Sequence, residues 1–343
     1  MKLLRNVLLP FAWIYGAVLH LRHFLYNKGL FSSTGFNKPV IAIGNLNLGG
    51  TGKTPFTILV AKLLSRHTKV AVLSRGYRRI SRGFLLGSEK SDVNQLGDEP
   101  LLMLRSLPQC KVAVDTNRVR GTRLLFDEHD TDVVVLDDAL QHRKIRPDLN
   151  ILLTDYKRLY VDDKLVPAGY LRDVKSRAAA ANLIVVTKCP QETDFNAIQN
   201  KINPLPHQKV FFCGLNYRQL RKLGSSQTVA VHCIENESVL LASGIARPDY
   251  LLDYLKEKCS NVHPVLFPDH HSYNEADLNR ITDLFDNFEP PLKRIIITEK
   301  DAVKWEQPLL MNKMERYPVW VMDVSVHFLK DGEIFERELK KYA

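Results

Sequence analysis

The run Asn45-Leu46-Asn47-Leu48-Gly49-Gly50-Thr51-Gly52-Lys53-Thr54 constrains this chain more than any other segment. It follows an apolar stretch, Pro39–Ile43, that reads as a buried strand, and it precedes Pro55–Arg66, which reads as a helix. A glycine-rich turn between strand and helix lets consecutive backbone N–H groups converge on a phosphate, and the helix N-terminus adds a favourable dipole. Lys53 is placed to reach the β- and γ-phosphates of a nucleotide and Thr54 to ligate Mg²⁺. The candidate nucleotide contacts are therefore Asn47, Leu48, Gly49, Gly50, Thr51, Gly52, Lys53 and Thr54. Asn47 stands where the usual pattern has its first glycine, so the match is imperfect.

Such a loop needs a sheet to carry it. Lys69–Ser74, Lys111–Val114, Asp132–Leu136, Asn150–Thr154 and Asn182–Thr187 are continuous apolar runs separated by helix-length segments. That pattern predicts a doubly wound, mostly parallel α/β sheet covered on both faces. A second set begins near Val229 and includes helical Arg247–Lys258, a strand at Val262–Leu266, helical Asn274–Phe288 and a strand at Arg294–Thr298. It predicts a smaller α/β domain, in keeping with a chain of 343 residues, long for one core. The tail His327–Ala343 alternates like a strand and ends in charges.

Val133–Leu136 runs into Asp137-Asp138, a strand ending in carboxylates suited to holding Mg²⁺ beside the phosphate loop. Neighbouring side chains on an extended strand point oppositely, which favours Asp137 as the metal-facing one. The turn is also similar to that of dimeric ATPases carrying a lysine before the glycine pair, but Leu48 occupies that position.

Leu3–Tyr26 is the other distinctive segment. Its uncharged stretch, Asn6–Leu21, is short of the ~20 apolar residues a spanning helix needs. Pro10 interrupts it, Arg5, Arg22, His23 and Lys28 flank it, and Trp13, Tyr15 and Tyr26 suit a headgroup region. An interfacial helix is the favoured reading; a helix packed on the domain and a spanning or signal segment are the alternatives. The formal net charge of +10 points to anionic partners, and the chain carries no nucleic-acid-binding signature. Its five cysteines show no paired spacing, which argues against zinc or dithiol chemistry.

Six further blocks lie outside any simple nucleotide-loop account: Ser74–Arg79 (SRGYRR), Gly97–Pro100 (GDEP), Asp137–His142 (DDALQH), Val166–Asp173 (VPAGYLRD), Phe267–His271 (FPDHH) and Thr298–Asp301 (TEKD). Together with GNLNLGGTGKTP, and in this order, they resemble the tetraacyldisaccharide 4'-kinase (lipid A 4'-kinase) family. The resemblance implies a P-loop kinase domain and a smaller C-terminal domain joined by a two-stranded linker. It implies transfer of the ATP γ-phosphate to the 4'-hydroxyl of an acylated glucosamine disaccharide 1-phosphate, with ATP and Mg²⁺ as cofactors. It also implies an anionic glycolipid partner at the cytoplasmic face of the inner membrane, without nucleic acid or an obligate protein partner.

Carried onto this sequence, the resemblance makes Asp98 the general base and His270 its partner, drawn from different predicted domains so that closure would assemble them. Arg75, Tyr77, Glu99, Arg118, Asp138, Gln141, His142, Arg172, Asp173 and His271 are candidate substrate or phosphate contacts. Asp173 departs from the Arg-Glu pair many family members carry there, which shortens its reach. Thr298–Asp301 reads equally as a base-contacting loop or a strand-to-helix turn. Boundaries fall at 1–30 for the interface helix, 31–210 for the kinase domain, 211–228 for the linker, 229–325 for the smaller domain and 326–343 for the tail. The rival readings are a P-loop ATPase or GTPase acting as regulator or metallochaperone without a lipid acceptor, and a nucleotide-binding scaffold on the membrane.

Overall fold

The structure is a computed structural model that describes residues 7–288 and 293–343. Residues 3–6 of the expected interface segment lie outside the described residues. The chain divides into two compact units, one of 1–96, 103–215 and 326–343, the other of 97–102 and 216–325.

The larger unit starts with helix α1 (Leu9–Asn27), then β1 (Val40–Asn45), α2 (Lys53–Leu64), β2 (Val70–Ser74) and β3 (Leu85–Leu86). α3 (Asp98–Ser106) has its residues up to Leu102 grouped with the smaller unit and the rest with the larger; β4 (Lys111–Val114), α4 (Arg118–Glu128), β5 (Val133–Leu136), β6 (Leu149–Asp155), β7 (Leu183–Thr187) and β8 (Lys209–Asn216) follow. The smaller unit holds β9 (Gln219–Lys222), β10 (Thr228–Ala230), β11 (Ser238–Ser243), α5 (Asp249–Lys258), β12 (Asn261–Leu266), α6 (Glu275–Asp286), β13 (Arg294–Thr298), α7 (Glu299–Trp305) and β14 (Val319–Met322). The chain then returns to the larger unit through β15 (Ser325–Lys330) and α8 (Gly332–Lys340).

The larger sheet runs β15-β8-β7-β6-β1-β5-β2-β4-β3, parallel from β4 to β8 and antiparallel at the β3–β4 edge. Its strands β1, β2, β5 and β7 are buried along their whole length, as expected of a sheet covered on both faces. The smaller sheet runs β10-β9-β14-β13-β11-β12, with a parallel centre and an antiparallel β9–β10 margin. Both units thus place their chemistry where parallel strands end.

The segment 211–228, expected as a linker with strands, is mostly strand: Phe211 and Phe212 are buried in β8, and Leu220 of β9 is buried in the smaller unit. Two expectations change. The run from Val229 is strand only as far as Ala230 and then a short 3₁₀ turn, Val231–Ile234. The tail is a strand and then a helix, α8, not a strand to the end. Its Phe335 and Leu339, spaced one helical turn apart, are buried in the core beneath the larger sheet. Phe335 meets the rings of Phe56, Phe211 and Phe328 at centroid distances of 5.7, 5.2 and 4.7 Å.

Candidate active site

The nucleotide loop leaves β1 between its neighbours β5 and β6. Gly49, Gly50 and Gly52 all have positive φ (59°, 67° and 76°), a left-handed backbone that residues with a Cβ adopt only at a cost. α2 begins at Lys53 with no side chain capping its N-terminus, so its first N–H groups are open to an anion. The loop is held from outside. Leu48 N–H donates to Tyr170 O at 2.7 Å, Arg172 N–H donates to Leu46 O at 2.8 Å, and Asn47 bridges Leu171. Asn47, in place of the usual glycine, is buried and donates from Nδ2 to Asp163 at 3.0 Å. The Val166–Asp173 block therefore works partly by bracing the phosphate loop.

Two carboxylates face this cradle differently. Asp137 is buried and accepts hydrogen bonds from Ser74 Oγ at 3.1 Å and Thr57 Oγ1 at 3.3 Å. Asp138 lies beyond the last residue of β5 in a left-handed conformation (φ 51°), so strand alternation does not govern its direction. Its carboxylate lies 3.8 Å from Lys53 Nζ and accepts a two-pronged contact from Arg172. Burial alone would raise the Asp138 pKa, but Lys53, Arg172 and Arg118 outweigh it and hold the group well below the usual carboxylate range. Asp137, Asp138 and Thr54 offer oxygen donors of the kind a hard divalent cation takes.

Around them, Arg118 is buried, donating to the Asp115 and Asp137 carbonyls; burial lowers its pKa to about 10. Gln141 donates to Asn45 O at 2.8 Å, so its amide braces β1. His142 is pushed down to about 4 by burial and by the nearby Arg118 cation, and is neutral at pH 7. Arg75 and Tyr77 are exposed, with Arg78 over the Tyr77 ring at 5.6 Å. Asp173 is buried and accepts from His23 Nε2–H at 2.7 Å. Lys188, which nothing in the loop motif pointed to, donates to Gly50 O and lies 3.3 Å from Asp155. Its position after the buried strand β7, parallel to the strands that carry the loop and the aspartates, is the signal that could have found it.

The second cluster belongs to the smaller unit, which includes Gly97–Leu102. His270 Nδ1 lies 2.9 and 3.1 Å from the two Asp98 oxygens, so the pair is already in contact in this structure, with both residues grouped in the same unit. On the other side of the ring, Lys300 Nζ sits 3.2 Å from Nε2. An ammonium can only donate, so Nε2 accepts and Nδ1 carries the proton given to Asp98. Lys300 also holds Glu99 at 3.0 Å and Asp269 at 3.1 Å, and these carboxylates with Asp98 outweigh burial and raise its pKa. Lys304 Nζ, one helical turn further along α7, lies 3.4 Å from Asp98. Burial would raise the Asp98 pKa, yet the His270 hydrogen bond and the Lys300 and Lys304 cations hold it well below its usual value. The i, i+4 spacing of Lys300 and Lys304 was visible in the sequence but had no partner to give it meaning.

His271 turns away from this pair. Its Nε2 meets Asp277 at 2.8 Å, next to the α6 capping box, and its ring stacks on Phe267 at 4.7 Å. Thr298 caps α7 by accepting from Asp301 N–H, and the buried Asp301 accepts from Gly244 N–H and Tyr273 O–H. Within the TEKD block it is Lys300 that faces Asp98, while Thr298 and Asp301 build the turn.

A parallel sheet bearing a phosphate cradle with Lys53 and paired aspartates, and a carboxylate–imidazole pair elsewhere in the chain, defines a P-loop phosphotransferase. A sequence profile for tetraacyldisaccharide-1-P 4'-kinase matches residues 4–343, and the chain belongs to this family. The tetraacyldisaccharide 4'-kinase of Flavobacterium johnsoniae is 42% identical over 93% of each chain. That of Bacteroides thetaiotaomicron is 39% identical, covering 95% of this chain and 90% of its own. A crystal structure of LpxK from Aquifex aeolicus in complex with ATP superposes with a TM-score of 0.77 at 29% identity, covering 99% of both chains. The readings as a regulator, metallochaperone or scaffold give way to this membership.

Proposed function

We infer that this protein transfers the γ-phosphate of ATP to the 4'-hydroxyl of an acylated glucosamine disaccharide 1-phosphate, a step of lipid A biosynthesis. The observation that carries the reading is family membership across residues 4–343 in a chain whose loop geometry and Asp98–His270 pair are both intact.

The loop glycines and the open α2 N-terminus receive the ATP phosphates, and Lys53 balances charge on the transferring group. Thr54, Asp137 and Asp138 would hold Mg²⁺, which neutralises charge on the phosphate oxygens. Asp98 accepts the hydroxyl proton. With its pKa held low it is a weak base, which suits a loose phosphoryl transfer in which the proton leaves late. His270, its tautomer set by Lys300, orients that carboxylate. Arg75 and Tyr77, both exposed, meet the substrate's phosphate, and Arg118 acts through the backbone around Asp137.

The acceptor's acyl chains keep it in a bilayer, since exposing each CH₂ costs ~0.8 kcal/mol. No helix among the described residues is long and apolar enough to cross a membrane. α1 buries Ala12, Gly16, Leu19 and His23 on one face and exposes Phe11, Ile14, Val18 and Leu21 on the opposite one. That exposed stripe, with Trp13 beside it, supports peripheral docking of α1 on the cytoplasmic face of the inner membrane. The test is incubation of purified protein with γ-labelled ATP, Mg²⁺ and the acylated disaccharide 1-phosphate in mixed micelles. Label should enter the lipid with the parent protein, and at least 10²-fold more slowly with Lys53→Ala. Rapid lipid-independent ATP hydrolysis without labelled lipid refutes the reading.

A further inference from the structure

The buried face of α1 is more polar than a membrane anchor requires. Tyr15 O–H donates to Arg172 O at 2.9 Å, Arg22 donates to Gln141 O at 2.9 Å, and His23 Nε2–H donates to Asp173. Arg143 lies 3.3 Å from His23 Nδ1, and an arginine can only donate, so the ring is held as the neutral tautomer that serves Asp173. Gly16 makes the approach close enough, since a Cβ there would come within 2.9 Å of Leu165 Cδ1. These partners are the loops that brace the nucleotide site. The Arg172 side chain grips Asp138 and donates to Asn45 Oδ1 at 2.5 Å. The Gln141 amide donates to Asn45 O, and Asn45 Nδ2 in turn donates to Thr51 Oγ1 in the phosphate loop at 2.7 Å. Asn45 is fully buried, so both routes from α1 converge on one residue at the base of the cradle, Arg172 on its side chain and Gln141 on its carbonyl.

We propose that Tyr15 and His23 are positioning residues for ATP: α1 holds the Arg172–Asp138–Asn45 clamp, and through it the phosphate loop, in its nucleotide-binding geometry. The helix therefore has two separable jobs, one on each face. A side chain on the exposed face governs access to the lipid, whereas Tyr15 and His23 govern affinity for the nucleotide. Phosphate cradles depend on sub-ångström placement of their donors, so loosening a brace three hydrogen bonds from Thr51 weakens the site without removing a contact to the ligand.

The proposal rests on the kinase reading, and its test separates the two. Full-length parent, Tyr15→Phe, His23→Ala and His23→Gln are titrated with a fluorescent ATP analogue in Mg²⁺, without lipid. Each is also assayed for ATP KM and kcat and for co-sedimentation with anionic phospholipid vesicles. Tyr15→Phe and His23→Ala should raise the analogue Kd and the ATP KM about tenfold, with vesicle binding unchanged. His23→Gln, which keeps an N–H for Asp173, should restore most of the affinity. Folded variants with parental nucleotide affinity overturn the proposal, as does a loss that follows vesicle binding or melting temperature and is not rescued by glutamine. If His23→Ala fails to fold, Tyr15→Phe, which removes a single hydroxyl, decides the matter. A parent that binds the analogue but never labels lipid would sink the kinase reading and leave this result standing.

Discussion

The exposed stripe of α1 can be tested as energy. Phe11 and Ile14 are 60% and 65% exposed, one helical turn apart, and neither belongs to the buried face. An aromatic side chain of roughly 150–250 Å² exposes about 100 Å² at this fraction. At ~25 cal/mol per Å² full immersion is worth about 2.5 kcal/mol, and half that for a helix lying at the interface. Ile14 contributes a similar increment. The double substitution Phe11→Ser/Ile14→Ser should then cost about 2–3 kcal/mol of bilayer partitioning, roughly a hundredfold. Co-sedimentation with anionic vesicles measures that coefficient directly, and circular dichroism and thermal melting check the fold. The apparent KM for lipid presented in vesicles should rise while the KM for ATP stays put. A folded double variant that partitions within threefold of the parent would show that the stripe does not enter the bilayer.

Three other outcomes are expected. Asp98→Ala and His270→Ala should each slow turnover by roughly 10²–10⁴ and the double variant hardly further, because the two act as a unit; multiplicative losses in steady-state kcat would break that pairing. His142 titrates near 4 when folded against 6.5 unfolded, so the unfolded chain binds the extra proton between these values and nucleotide-free protein should lose stability as pH falls through that window. His142→Gln should shrink the difference in unfolding free energy between pH 7 and 4.5 by about 2 kcal/mol in denaturant titrations, and an unchanged difference refutes the depressed pKa. Phe335→Ala should destabilise the larger unit by about 3–5 kcal/mol in urea unfolding, since α8 is core, and a loss below 1 kcal/mol would mean that the tail is dispensable.

The sequence by itself determined much of what is local. Continuous apolar runs foretold the parallel strands β1, β2, β4, β5, β6 and β7 to within two residues, though not β8, because burial on both faces leaves no polar alternation to confuse the reading. The glycine pattern foretold the cradle, because left-handed backbone at Gly49, Gly50 and Gly52 is a property of those residues. The resemblance pairs Asp98 with His270, and the two lie in contact. Only the tertiary structure decided what depends on partners far along the chain. It brought Lys300 and Lys304 to Asp98, across about two hundred residues. It turned Asp138 toward Lys53 by a backbone conformation no strand rule foresees. It made Asp173 the anchor of His23, a pairing of residues 150 positions apart, and it made a polar tail a core helix through Phe335 and Leu339. A side chain's role is fixed by the charges and surfaces that meet it, and chain topology, not local propensity, delivers those neighbours.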